Sequence, residues 1–188
     1  MSANTIDLNK CMTQFDQHDS VWMFAYGSLI FKVDFPFLAR RPAFISGWER
    51  RFWQGSHDHR GTVDAPGRVA TLIPKQGARC AGMAFLITPA VFAQLDYREK
   101  NGYLRLSTEI TFDNGEHATG LVYIATEENS AFLGPASEED IARQIATARG
   151  ASGCNADYLL GLAEALRGLG EEDKHVFTIE RHLLTHRE

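Results

Sequence analysis

Val21 to Ile30 reads Val-Trp-Met-Phe-Ala-Tyr-Gly-Ser-Leu-Ile, and this stretch constrains the fold more than any other. Its first half is an apolar and aromatic run of strand length. The run breaks at Tyr26-Gly27-Ser28, where a glycine lets the backbone turn and a serine can bond to it. A buried strand therefore ends in a tight, polar loop rich in backbone NH groups. Such a loop can offer several donors to an anion, as phosphate-binding loops do, yet the long glycine signature of a nucleotide site is missing. The ligand to look for is a small anion, a carboxylate above all. The competing reading is an ordinary strand-to-loop turn.

Around this stretch the chain reads as alternating strands and turns, followed by helices. Residues 1–20 form an arm with weak helical spacing through Leu8, Met12 and Phe15, and little function is expected there. Pro42 to Trp53 alternates as a long strand. Gln54 to Gly67 is a polar loop long enough to be functional. Arg68 to Pro74 and Cys80 to Ile87 read as two strands joined by a hairpin at Lys75-Gln76-Gly77-Ala78-Arg79. Thr88-Pro89 opens a short helix that Asn101-Gly102 ends. Asn114-Gly115 is the strongest hairpin signal, joining Leu104–Phe112 to Glu116–Thr126. That makes six strands or so. Ser137 then caps a helix through Arg149, Gly150 to Cys154 is a break, Asn155 caps a second helix, and Lys174 to His186 is a third. The expectation is one α+β domain over residues 21–188, its mixed sheet curled into a small barrel around a pocket with helices on one side.

Composition narrows the classes of function. The 188 residues are 44% apolar and 11% aromatic, enough to bury a substantial core without staples. A formal charge of -5 argues against nucleic acid as a partner, and the pairs Arg40-Arg41 and Arg50-Arg51 read as solvated strand ends. Three cysteines without paired spacing, no apolar signal segment and no stretch of membrane-spanning length point to the cytoplasm, away from membranes. His57-Asp58-His59 is a weak metal pattern, so no metal is expected. Glu99, between Arg98 and Lys100, reads either as a solvated turn or as a carboxylate at the mouth of the sheet. In a partly apolar setting such a group has a raised pKa and can act as a general base.

Several segments together carry a resemblance. They are Phe24-Ala25-Tyr26-Gly27-Ser28-Leu29-Ile30, then Arg50-Arg51-Phe52-Trp53-Gln54-Gly55-Ser56 with Asp58-His59-Arg60-Gly61 and Pro66-Gly67-Arg68-Val69, and Leu95-Asp96-Tyr97-Arg98-Glu99-Lys100-Asn101-Gly102-Tyr103. With Leu133-Gly134-Pro135-Ala136 and the helices that follow, the chain after Trp22 resembles the ChaC family of glutathione-specific γ-glutamylcyclotransferases. The resemblance implies that fold, with glutathione as the small-molecule substrate, 5-oxoproline and Cys-Gly as products, and no cofactor. It also implies that Ala25, Tyr26, Gly27, Ser28 and Leu29 bind the γ-glutamyl group and that Glu99 is the catalytic base. Arg51, Arg60 and Arg68 are candidates for the far carboxylate, against structural pairing for each. Asn101 stands where the family usually has glycine, a change asparagine's tolerance of left-handed backbone should soften. Phe132 stands where some relatives carry tyrosine. The runners-up are a cyclotransferase for another γ-glutamyl compound and a non-catalytic regulator linked to cation transport. A monomer is expected, with a dimer as the alternative.

Overall fold

The computed structural model describes residues 4–186. They divide into two compact units, one built from the chain up to Glu49 with Leu72–Ser130, the other from Arg50–Thr71 with the chain from Ala131 onward.

The first unit holds a closed barrel. Its strands are β1 (Val21–Ala25), β2 (Ala39–Ser56), β3 (Gly67–Ile87), β4 (Tyr103–Phe112) and β5 (His117–Ala125), in the order β1-β3-β2-β4-β5; the outer parts of β2 and β3 belong to the second unit. β1 runs antiparallel to β3, Val21 opposite Ile87 and Ala25 opposite Met83. It closes the barrel by running parallel to β5, Met23 opposite Leu121. Closure leaves no open edge at β1. β4 and β5 form the hairpin that Asn114-Gly115 announces, paired from Tyr103–Ala125 to Thr111–His117 with Gly115 at φ 84°. Strand β1 is nearly all buried because its alternate residues pack different neighbours. Met23 and Ala25 join Phe85, Leu95, Leu121 and Tyr123 in one apolar cluster, while Trp22 meets Phe112 edge-on at 4.9 Å. Each large side chain of such a cluster contributes roughly 1.5–3 kcal/mol by leaving water.

Several expectations change. The barrel has five strands, because Lys75–Arg79 is no hairpin: β3 runs unbroken from Gly67 to Ile87, with Gly77 at φ 77° marking an irregularity within it. The second half of β3 takes β1 as its antiparallel partner. The arm's helix α1 covers only Ile6–Lys10. The polar loop after β1 is a one-turn helix, α2 (Ser28–Phe31). After a single 3-10 turn at Pro89–Val91 comes α3 (Phe92–Arg98).

In the second unit α4 (Glu138–Thr147), α5 (Asn155–Gly168) and α6 (Lys174–Thr185) pack on one another through Ile141, Ile145, Leu159, Leu162, Val176 and Ile179. Ser137 caps α4 as expected, its Oγ accepting from the Asp140 amide at 3.1 Å. The expected break at Gly150–Cys154 is a small ladder of β6 (Arg149–Gly150) and β7 (Gly153–Cys154). Asn155 is not a cap. Its buried amide instead accepts from the Arg68 amide and donates to the Arg68 carbonyl, both at 2.8 Å, so a strand takes the groups a cap would have given the helix. Arg50 is not a solvated strand end either: it is 4% exposed and donates to Asp173 at 2.6 Å. Among the described residues no helix is long and apolar enough to cross a membrane.

Candidate active site

Topology alone brings two of the expected segments together. β1 and β5 are parallel neighbours, so their carboxyl ends, Ala25 and Ala125, lie at the same end of the barrel. β4 is antiparallel to β5 and begins there, Tyr103 opposite Ala125. The turn that follows β1 and the residues that precede β4 therefore share that end, and these are Tyr26–Leu29 and Glu99.

The turn is held from below. Ala25 and Leu29 are buried in the apolar cluster, and the Tyr26 hydroxyl donates to the Tyr123 carbonyl at 2.6 Å. Gly27 is buried and Ser28 half-buried. Within the turn, Ile30 donates to the Gly27 carbonyl at 3.0 Å and Lys32 to the Ser28 carbonyl at 2.7 Å. The amides of Gly27, Ser28 and Leu29 come before the first of these bonds, as the leading amides of any helical turn do. Together they can serve an anion.

Glu99 sits at the carboxyl end of α3, its amide donating to the Leu95 carbonyl at 2.8 Å. The chain then turns into β4 through Gly102 at φ 96°, a conformation only glycine adopts freely. Asn101 carries no left-handed strain, so its tolerance of that conformation is not needed. The Glu99 side chain is 13% exposed. Burial pushes its pKa up to about 7; the Arg98 guanidinium, with Nε 3.7 Å from Oε1, pulls it down, and Asp34 pushes it up. A carboxyl that titrates near neutrality can both take and return a proton. The solvated-turn reading of Glu99 is thus set aside.

Arg98 joins the two segments. It donates to Ser28 Oγ at 3.2 Å and to the Lys32 carbonyl at 2.7 Å, pairs with Asp34, and flanks Glu99. In the sequence it looked like one more charge in a polar cluster. Behind Glu99 lies a second group that sequence reading missed. The buried Tyr123 hydroxyl donates to Asp96 at 2.6 Å, and Arg105 stands 3.8 Å from the same carboxylate. Burial and the bond to Asp96 hold the Tyr123 phenol far above its usual range, so it stays protonated.

The remaining candidates lie in the second unit. Arg68 donates to Gln144 and to the carbonyls of Phe52 and Gly134, Arg60 to the Cys154 carbonyl while lying over Tyr158, and Arg51 to the Arg50 carbonyl. Structural pairing describes Arg68 best. His59 contacts Ser152 Oγ at 2.9 Å, and among the described residues no cluster of three or more His, Cys, Asp or Glu could hold a metal. Phe132 forms a single bridge with Gln54.

Fold and site define a small-barrel protein in which a buried, titratable carboxyl and a tight glycine-serine turn share one end of the barrel. The family model described as ChaC-like protein matches residues 21–186, and the chain belongs to that family. Gamma-glutamylcyclotransferase 2-3 of Arabidopsis thaliana is 44% identical over 184 residues, covering 90% of this chain and 92% of the relative. Glutathione-specific gamma-glutamylcyclotransferase 1 of Danio rerio is 43% identical over 176 residues, covering 88% and 89%. A glutathione-specific γ-glutamyl cyclotransferase from yeast superposes with a TM-score of 0.81 at 30% identity, covering 89% of this chain and 97% of that one.

Proposed function

We propose that the protein degrades glutathione by intramolecular cyclisation, releasing 5-oxoproline and Cys-Gly, with Glu99 as the general base and then the general acid. The observation that carries this reading is the buried Glu99 carboxyl, titrating near pH 7 and linked through Arg98 to the turn at Ser28. The α-amine of the γ-linked glutamate attacks the side-chain carbonyl of the same residue. A C–N bond forms to close the ring, and the bond to the cysteine nitrogen breaks.

The attacking nitrogen enters as an ammonium and ends as the lactam NH, so it gives up two protons, one before attack and one as the ring closes; the departing cysteine nitrogen takes both and leaves as an ammonium. Glu99 carries them one after the other, and the proton count closes without water. The amides of Gly27, Ser28 and Leu29 hold the α-carboxylate, while Ala25 and Tyr26 fix the turn from the core side. Because the nucleophile belongs to the substrate, holding it in a ring-closing pose supplies much of the rate; well-oriented intramolecular attack can be worth about 7–11 kcal/mol. Cytoplasmic residence is part of the proposal, supported by three cysteines that lie outside any disulfide.

The test is to incubate purified protein with glutathione and follow both products by mass, beside Glu99→Gln. Wild type forms both in equal amounts, and the variant loses roughly two to four orders of magnitude of rate while remaining folded. Equal rates would remove Glu99 from the mechanism.

A further inference from the structure

The family match begins at residue 21, yet the arm before it is fastened to the segment that carries Glu99. Thr5 donates its amide to the Lys100 carbonyl at 2.8 Å, and its hydroxyl reaches the carbonyls of Lys100 at 3.1 Å and Glu99 at 3.5 Å. These carbonyls stand at the C-cap of α3 and one residue beyond it, where the helix itself offers no partner. Asn4 and Asn101 form a β-bridge. Asn9, fully buried, donates from Nδ2 to the Tyr103 carbonyl at 3.0 Å and accepts from the Arg105 amide at 2.8 Å. Its side chain thus does the work of a strand on β4, which pairs with β2 at the far end, at Thr111 and Phe112.

The arm also supplies hydrogen-bond acceptors to Arg105. This guanidinium is 4% exposed and lies over the Phe92 ring, and its Nε and Nη1 are buried with no partner among the described residues. Nη2 donates to the Asn9 carbonyl at 2.5 Å and to that of Met12 at 3.2 Å. Without the arm, a buried cation would keep only Asp96, and burying a charge so poorly paired is strongly unfavourable. The return from α3 into β4 is therefore fixed at Glu99, Lys100, Asn101, Tyr103 and Arg105 by residues that come before the barrel begins.

We infer that residues 4–12 are a strap that positions the Glu99 carboxyl for proton transfer, with Thr5 and Asn9 as its positioning residues. The inference rests on Glu99 being the base. A displacement of the base by about 1 Å is enough to cost on the order of a hundredfold in rate, so a strap of this kind acts on turnover more than on substrate affinity.

The full chain is compared with Thr5→Val, Thr5→Ser, Asn9→Ala and Glu99→Gln, measuring kcat, KM for glutathione, the pH dependence of kcat, and the melting midpoint. Thr5→Val and Asn9→Ala are expected to lower kcat by on the order of tenfold, with KM within about a factor of two. The limb of the pH profile set by Glu99, which faces Arg98, Asp34 and Tyr123, should move toward the ordinary carboxylate range as burial relaxes. Thr5→Ser keeps the hydroxyl and should restore both. Wild-type kcat and pH profile in Thr5→Val overturn the strap, even if Asn9→Ala does not fold. So does a loss of rate that follows only the unfolded fraction with the pH limb unmoved. If Glu99→Gln is inactive while Thr5→Val is normal, the base stands and the strap alone falls; full activity in Glu99→Gln sinks both.

Discussion

Glu99→Gln should make the protein more stable above neutral pH while removing its activity, and the size of the gain follows from the burial of one carboxyl. The Glu99 pKa rises from 4.5 to about 7 on folding, chiefly through desolvation. Below the lower value the carboxyl is protonated in both the folded and the unfolded chain, and it contributes nothing to pH dependence. Between the two values the unfolded chain releases its proton while the folded one holds it, so stability falls as pH rises. At about 1.4 kcal/mol per pH unit the loss comes to about 3 kcal/mol, and it is constant above the folded pKa. Glutamine keeps the shape and removes the titration. In urea unfolding the variant should match wild type near pH 4, gain steadily through the window, and exceed it by up to about 3 kcal/mol near pH 8. Other titrating groups are common to both chains and cancel in the difference. A variant that is less stable at high pH, or a difference that does not change with pH, would refute the burial argument.

Arg98 and Asp34 should move the Glu99-dependent limb of kcat/KM in opposite directions. Arg98→Ala removes the charge that lowers the Glu99 pKa and shifts the limb up, whereas Asp34→Asn removes one that raises it and shifts the limb down; shifts of the same sign would contradict the assignment. His175 gives a second pH dependence, within the other unit. Its Nε2 accepts from the Phe52 amide at 3.0 Å and burial holds its pKa below 6.5, so it must be neutral when folded. Its contribution is complete above the unfolded pKa and is lost as pH falls below 6.5. His175→Ala should cost about 1–3 kcal/mol near pH 7.5, by leaving the Phe52 amide unpaired, and less in acid. A cost that is the same near pH 5 and pH 7.5 would count against it.

The strands of the barrel were legible where local chemistry decides. Val21–Ala25 is apolar at every position, and Asn114-Gly115 dictates its own turn. Lys75–Arg79 is ambiguous because glycine marks an irregular strand as readily as a hairpin, and nothing local to those residues decides between the two. Tyr26–Leu29 and Glu99 could be named from residue pattern and resemblance, but their shared end of the barrel depends on the parallel pairing of β1 with β5. Residues whose partners are remote were out of reach. Nothing local distinguishes Asn9 in a polar arm, or Arg98 in a charged cluster, until Tyr103 and Ser28 are set beside them.

Two carboxylates stand one helical turn apart at this end of α3, and their surroundings assign them different work. Asp96 accepts from a phenol that burial keeps protonated and lies beside the Arg105 guanidinium, so its oxygens are occupied by the fold. Glu99 meets Arg98 only at 3.7 Å and is left with its burial, which is what brings its titration to neutrality. A reaction whose nucleophile and leaving group both belong to the substrate needs little more from the protein than one such proton carrier and a rigid frame. The buried set of Asn9, Asp96, Arg105 and Tyr123 is linked by Tyr123 to Asp96, Arg105 to Asp96 and Asn9 to Arg105, so it supplies rigidity immediately behind the proposed carrier, and the Tyr123 phenol keeps its own proton.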